Sequence, residues 1–128
     1  MAGATDLAAI LASLDVVRRP DPYTYVFARP DLADRAAATI HEAEGATYVV
    51  TVADAEAAGA PVEFRAAWLT ISVHTALEGV GLTAALSRAL ADAGIACNVL
   101  AGYHHDHLLV PCDRADDAEA VLAALRRA

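Results

Sequence analysis

Lysine is absent from this chain of 128 residues, and all nine of its lysine-or-arginine positions are arginine. With 17 acidic residues, the formal net charge is −8. Nucleic-acid binding needs a basic surface that neutralises phosphates, so this charge argues against nucleic acid and against anionic membranes as partners. The missing lysine also excludes a P-loop, in which a lysine contacts the nucleotide phosphates.

Long apolar runs are missing too, although hydrophobic residues make up 57% of the sequence. The most apolar stretches have the length of a strand and are interrupted by charge. A membrane-spanning helix needs about 20 apolar residues, and a signal peptide needs a basic region before an apolar one. We therefore expect a soluble, cytoplasmic protein without membrane contact. In such a protein Cys97 and Cys112 are expected to be buried thiols rather than a disulfide.

The first half of the chain predicts helices at both ends with strands between them. Leucine and isoleucine recur at helical spacing over residues 7–14, and a short helix is expected at 54–58. Aromatic and β-branched residues predict strands at 23–28 and 47–52, with an additional short strand at 39–44. The expected order is therefore α-β-β-α plus this additional strand.

The second half has a clearer pattern. Strict alternation predicts a strand over Ala67–Val73. A loop with two glycines then leads into a helix whose leucines recur every four residues from Leu82 to Leu90, and Gly94 ends it. Strands at 95–100 and 107–112 and a final helix follow. This β-α-β-β-α order is most of a ferredoxin-like unit and lacks the last strand. Two halves that share one sheet, or two sheets joined edge to edge, would supply it.

Three segments of the second half resemble the ACT domain family: the strand Leu69–His74, the run Gly79–Leu82 and the run Ala93–Val99. In that family a strand, a glycine-containing loop, a helix ending in an Ala-Gly-Ile turn and a second strand follow one another in this order. The segment Ala101–Pro111 resembles, more narrowly, a group of small bacterial ACT-like proteins of unassigned function in which one short chain holds two units. The resemblance is looser over the first half.

This resemblance implies an α+β fold of two small ferredoxin-like (βαββαβ-type) units, residues 1–64 and 65–128, packed together with an antiparallel sheet and helices on one face. ACT domains are generally regulatory modules that bind amino acids or similar small ligands, often at interfaces between paired domains. We therefore expect a regulatory module that binds an amino acid and forms a homodimer. We expect no catalysis and no cofactor. The chain carries no catalytic domain of the kind usually attached to ACT domains, so regulation of an enzyme in cis is not expected.

The resemblance also implies that the ligand site includes the loop at 74–83. Amides at the start of a helix suit a carboxylate, and glycines let a ligand approach the backbone. The ammonium group of an amino acid would then bind Asn98 or Asp106. The alternative is that the two glycines only shape a turn. The residues expected to bind the ligand are His74, Glu78, Gly79, Val80, Gly81, Leu82, Thr83, Asn98, Tyr103, His105 and Asp106.

The run His104-His105-Asp106-His107 is the least typical feature of the sequence. It holds enough ligands for zinc, so a metal-binding protein is one alternative function. On an extended chain only His105 and His107 share a side, and His74 would have to add a third ligand. Contact with the small-molecule ligand and a purely structural polar turn are the other interpretations. A structural or partner-binding dimer is a further alternative, and no catalytic residue or metal ligand is assigned.

Overall fold

The computed structural model describes residues 7–73 and 80–127. Within them the strands are β1 (Asp15–Arg18), β2 (Tyr23–Phe27), β3 (Ala38–Glu42), β4 (Gly45–Thr51), β5 (Ala66–Ser72), β6 (Asn98–Ala101) and β7 (Asp106–Pro111). The helices are α1 (Leu7–Ala12), α2 (Val52–Ala57), α3 (Leu82–Asp92) and α4 (Ala115–Ala124), with 3-10 turns at Pro30–Arg35, Cys112–Arg114 and Leu125–Arg127. None of the helices in these ranges has the length and apolar character that crossing a bilayer requires.

The chain divides into two compact units, one formed by residues 1–19 with 68–128 and one formed by residues 20–67. The packing therefore groups the segment that precedes Pro20 with the C-terminal part of the chain. The two ACT-like units expected from the sequence, residues 1–64 and 65–128, are a separate division of the chain, and that division stays a prediction. Each compact unit has its own set of paired strands.

In the first unit the strands lie in the order β1-β5-β7-β6. β1 is antiparallel to β5, with Asp15 opposite Ser72 and Arg18 opposite Leu69. β6 is antiparallel to β7. Because β7 lies between β5 and β6, the connection through α3 skips one strand, as in a ferredoxin-like unit. The strand that the second half lacked in the sequence is β1, which was not predicted. The expected α+β, ferredoxin-like architecture is confirmed.

The two faces of this sheet have different surroundings. Residues directly opposite each other in paired strands share a face, so Arg18 shares the face of Leu69. Arg18 forms ion pairs with Asp116 and Glu119 of α4, and α4 also contacts α3 and β7. The helices therefore cover the face that carries Leu69. The buried side chains of this unit include Ile10, Leu14, Leu69, Ile71, Leu86, Leu90, Leu108, Val110, Ala118 and Leu122.

In the second unit three antiparallel strands lie in the order β3-β4-β2. The structure contains the additional strand expected at 39–44, with bounds Ala38–Glu42. A turn then leads to Gly45, the first residue of β4. Its φ of +147° lies in a region that favours glycine. The core of this unit consists of Val26, Leu32, Tyr48, Val50, Ala55 and Ala60.

Thr24 places a hydroxyl in this apolar environment. Its side chain is 0% exposed, and it lies on β2 directly opposite Val50. Among the described residues, Oγ1 of Thr24 has no hydrogen-bond partner. A buried hydroxyl that has lost its water contacts without gaining a hydrogen bond destabilises the folded state.

We predict that Thr24→Val raises the free energy of unfolding by about 1 kcal/mol, because it replaces the unpaired hydroxyl by a methyl group of similar shape. Thr51→Val is the matched control, since Oγ1 of Thr51 accepts a hydrogen bond of 3.1 Å from the Asp54 amide at the start of α2. Loss of that cap lowers the free energy of unfolding by about 1 kcal/mol. In urea denaturation the two midpoints should move in opposite directions. Equal destabilisation by both substitutions would mean that the Thr24 hydroxyl is bonded.

Candidate functional site

The start of α3 has backbone amides that no described side chain caps. Gly81 precedes the helix with a φ of +100°, in the left-handed region that favours glycine. Its carbonyl accepts from the Ala85 amide at 2.9 Å, so the amides of residues 82–84 have no intrahelical partner. The first turn also contains no acidic side chain. An end of this kind favours a bound carboxylate.

The residues expected to bind the ligand around this helix end differ in accessibility. Val80 is 86% exposed, and Thr83 is exposed in the first turn of α3. Leu82 is only 6% exposed, so its side chain belongs to the core and only its amide can reach a ligand. His74, Glu78 and Gly79 lie outside the described residues.

The turn between β6 and β7 meets the end of β5. The amide of Gly102 donates to the carbonyl of His105 at 2.9 Å and closes the turn. Nδ1 of His105 lies 3.2 Å from Oγ of Ser72, the last residue of β5. Asp106, which begins β7, therefore lies at the end of the sheet where β5 ends and the chain continues towards α3. By alternation along β7, it shares a face with the buried Leu108.

Asn98 lies at the opposite end of the β6–β7 pair. It is paired with Leu109, whereas Ala101 is paired with Asp106. Three steps along a strand correspond to about 10 Å. The structure therefore places His105 and Asp106 at one end of the paired strands and Asn98 at the opposite end.

A row of polar side chains crosses the sheet face opposite to the one that carries Leu69, and it was not predicted from the sequence. Trp68, Thr70 and Ser72 alternate with the core residues of β5 and share this face. Nε1 of Trp68 donates to Oγ1 of Thr70 at 3.2 Å and to Nδ1 of His107 at 3.1 Å. Oγ1 of Thr70 lies 3.1 Å from the same Nδ1 atom.

These contacts define the protonation state of His107. An indole N–H can only donate, so Nδ1 of His107 is an acceptor and the ring proton lies on Nε2. Trp68 is only 2% exposed, and the guanidinium carbon of Arg19 lies 4.1 Å from its ring centroid. Burial lowers the pKa of His107 below its ordinary value, and the positive charges of Arg19 and His105 lower it further, against the opposing effect of Asp106. His107 is therefore neutral at neutral pH.

The histidine-rich turn does not form a metal site with other described residues. Within residues 7–73 and 80–127, no three His, Cys, Asp or Glu side chains converge as a metal ion requires. His105 and His107 do share a side, with ring centroids 6.4 Å apart. Tyr103 is 78% exposed and packs edge-on against His104 at 4.9 Å. The described residues thus give the metal-binding alternative no support, and its suggested third ligand, His74, lies outside them.

Cys97 and Cys112 are not joined in a disulfide, and both are half-buried. Burial raises the pKa of the Cys97 thiol above its ordinary value. A thiol with a raised pKa stays protonated at neutral pH and is a poor nucleophile. Cys97 is therefore not an activated nucleophile.

Two family models, both described as ACT domain, match this chain over residues 2–67 and residues 63–127. No sequence among the curated proteins matches it. A crystal structure from Vibrio cholerae, of a protein of unknown function described as a possible transport protein, is 34% identical with a TM-score of 0.86. That match covers 97% of this chain and 98% of the Vibrio protein.

Two more distant structures share the fold. A protein from Agrobacterium tumefaciens is 16% identical with a TM-score of 0.66, over 88% of this chain and 89% of its own. The ligand-free regulatory subunit of aspartate kinase from Thermus thermophilus is 16% identical with a TM-score of 0.61, over 86% of this chain and 95% of its own. At this identity the likeness concerns the fold alone.

We predict that Gly102→Ala destabilises the protein by about 1–3 kcal/mol through overpacking. A Cβ atom at Gly102 would lie 2.9 Å from the backbone oxygen of His105 and 3.1 Å from Nε2 of His107. No rotamer change relieves a clash with a backbone atom, so the turn has to move. The exposed neighbour Ala101 provides the control Ala101→Ser, which should change stability by less than about 0.5 kcal/mol. Urea unfolding curves for both variants test this, and wild-type stability for Gly102→Ala would contradict the close packing.

Proposed function

This chain belongs to the ACT domain family, and from that premise we propose that it is a regulatory module that binds a free amino acid and carries out no catalysis of its own. ACT domains generally act by binding a small ligand and changing the behaviour of a partner. Among the proteins that share the fold, the Thermus thermophilus protein is a regulatory subunit of aspartate kinase. That description supports a regulatory role here.

The start of α3 is the observation that carries this proposal. Its amides at residues 82–84, which have no partner within the helix, and the partial positive charge of the helix end suit the carboxylate that every amino acid has. Gly81 has no side chain to block the approach of that carboxylate. The exposed Thr83 adds a hydroxyl that can donate a further hydrogen bond.

The ammonium group of the ligand needs an acceptor, and we assign this role to Asp106. A carboxylate and an ammonium form a charge-assisted hydrogen bond, which is stronger than a bond between neutral groups. Asp106 begins β7 at the edge where β5 ends, whereas Asn98 lies about 10 Å further along the paired strands. Tyr103 and His105 line the same edge. His74, Glu78 and Gly79 complete the loop in this proposal.

We further propose that the active form is a homodimer in the cytoplasm. β6 lies at the end of the strand order in its unit, with no further strand paired beyond it among the described residues. An open strand edge offers backbone donors and acceptors to a second chain. A reducing compartment is consistent with two thiols that are not joined in a disulfide.

The first test is a thermal-shift screen over the twenty amino acids at millimolar concentration. We expect one amino acid, or a few of similar chemistry, to raise the melting temperature, because a ligand at 100 times its Kd stabilises the folded state by about 2.7 kcal/mol. Light scattering with and without that amino acid should give a mass twice that of one chain. A flat screen would contradict the proposal.

The second test assigns the ammonium contact. We predict that Asp106→Asn raises the Kd of the responding amino acid at least tenfold, because a hydrogen bond to a charged group contributes about 1.5–3 kcal/mol. Asp113→Asn is the matched control, since Asp113 is exposed in the turn after β7 and the substitution changes the net charge equally. Calorimetric titration should show wild-type affinity for the control. Wild-type affinity for Asp106→Asn would mean that another group holds the ammonium.

A further inference from the structure

The contacts of Trp68, Thr70 and His107 on the sheet face opposite to Leu69 depend on the protonation state of His107. The indole of Trp68 points its N–H at Nδ1 of His107, and the hydroxyl of Thr70 lies at the same distance of 3.1 Å from that atom. Nδ1 accepts a hydrogen bond only while it carries no proton. On the other side of the ring, a Cβ at Gly102 would come within 3.1 Å of Nε2, so the absence of a side chain at this glycine makes room for the imidazole.

A proton on Nδ1 would reverse this arrangement. Nδ1 would then no longer accept from the indole N–H, and the two N–H groups, whose nitrogens are 3.1 Å apart, would have to share Oγ1 of Thr70 as their acceptor. The new positive charge would lie against the indole, with ring centroids 5.2 Å apart, on which the guanidinium of Arg19 is already stacked. Protonation therefore removes an attractive contact and adds repulsion at the same position.

We propose that His107 is a pH-responsive latch between β5 and β7. In its neutral form it binds Trp68 and holds the start of β7 against β5. In its protonated form it releases Trp68 and loosens the turn at 102–106. The contact between His105 and Ser72 joins the same turn to the end of β5, so loosening affects that contact as well. The latch stands on these contacts alone and does not depend on the binding of an amino acid.

The other ionisable groups around His107 favour its neutral form on balance. Among the described residues of this unit, the ionisable groups on the neighbouring strands and turn are Asp15 and Arg18 of β1, Arg19 directly after it, and Tyr103, His104, His105 and Asp106 before and at the start of β7. Arg18 lies on the opposite face, where it pairs with α4. From β6 the residue opposite His107 is Leu100, which has no charge. Burial, Arg19 and His105 lower the pKa of His107, whereas Asp106 acts in the opposite direction.

The direction of the pH effect follows from this lowered pKa. In the unfolded chain the imidazole titrates near 6.5, and in the folded protein it titrates below that value. Between these two values the unfolded state binds more protons, so acidification favours unfolding. The contribution of the latch to stability is complete above the unfolded pKa, and it is lost as the pH falls through the folded pKa.

The test is an NMR titration of the folded, uniformly ¹⁵N-labelled protein. Trp68 is the only tryptophan, so its indole N–H gives a single signal. We expect this signal to move with a midpoint below 6.5 that coincides with the midpoint of the His107 imidazole nitrogens. Above the midpoint the imidazole nitrogens should show the proton on Nε2. An indole signal that stays constant while His107 titrates would overturn the proposal.

Three variants assign the titration to His107. His107→Asn keeps an acceptor near the position of Nδ1 and cannot take up a proton, so we expect a bonded indole signal that does not change over this pH range. His105→Asn, and His41→Asn in the other unit, should leave the indole titration in place. Persistence of the titration in His107→Asn would also overturn the proposal. The wild-type titration alone decides the question where a variant does not fold.

Discussion

The pairing of β1 with β5 is the constraint on which the first unit depends. It joins Arg18 to Leu69 across a large part of the chain, and it covers the edge of β5 that would otherwise expose unpaired backbone groups. Arg18 then connects β1 to α4 through ion pairs with Asp116 and Glu119. Because β5 is held between β1 and β7, the positions of Trp68 and of the chain leading to α3 are defined from both sides.

From β5, the two faces of the sheet provide two different chemical environments. On the face covered by helices lies Asp106, at the end of the sheet where the chain leaves β5 towards α3. On the opposite face the neutral His107 connects β7 to the indole of Trp68. Both environments meet at the turn between β6 and β7, where His105 contacts the last residue of β5. A change in that turn therefore affects both the end of β5 and the polar row.

The sequence predicted the helices and strands whose hydrophobic periodicity is strong. It did not predict the features that depend on contacts between residues far apart in the chain. The alternation along β5 and the leucine repeat of α3 identified both elements, and the histidine pair at 105 and 107 was expected on one side. β1 has only four residues, which are mostly exposed and followed by Pro20, so its strand conformation depends on pairing with β5. The alternation of Trp68 with Thr70 was visible in the sequence. That His107 lies beside them follows from β7 being the neighbour of β5, which local pattern does not reveal.

Backbone amide NMR during titration with a mixture of the common amino acids tests the proposed ligand site most directly. The proposed site predicts that the largest shifts occur at the amides of Leu82, Thr83, Ala84 and Asp106. The amide of Asn98, at the far end of the paired strands, should change little. No shift at any concentration, or largest shifts away from the start of α3, would contradict the proposal that α3 holds the carboxylate of an amino acid.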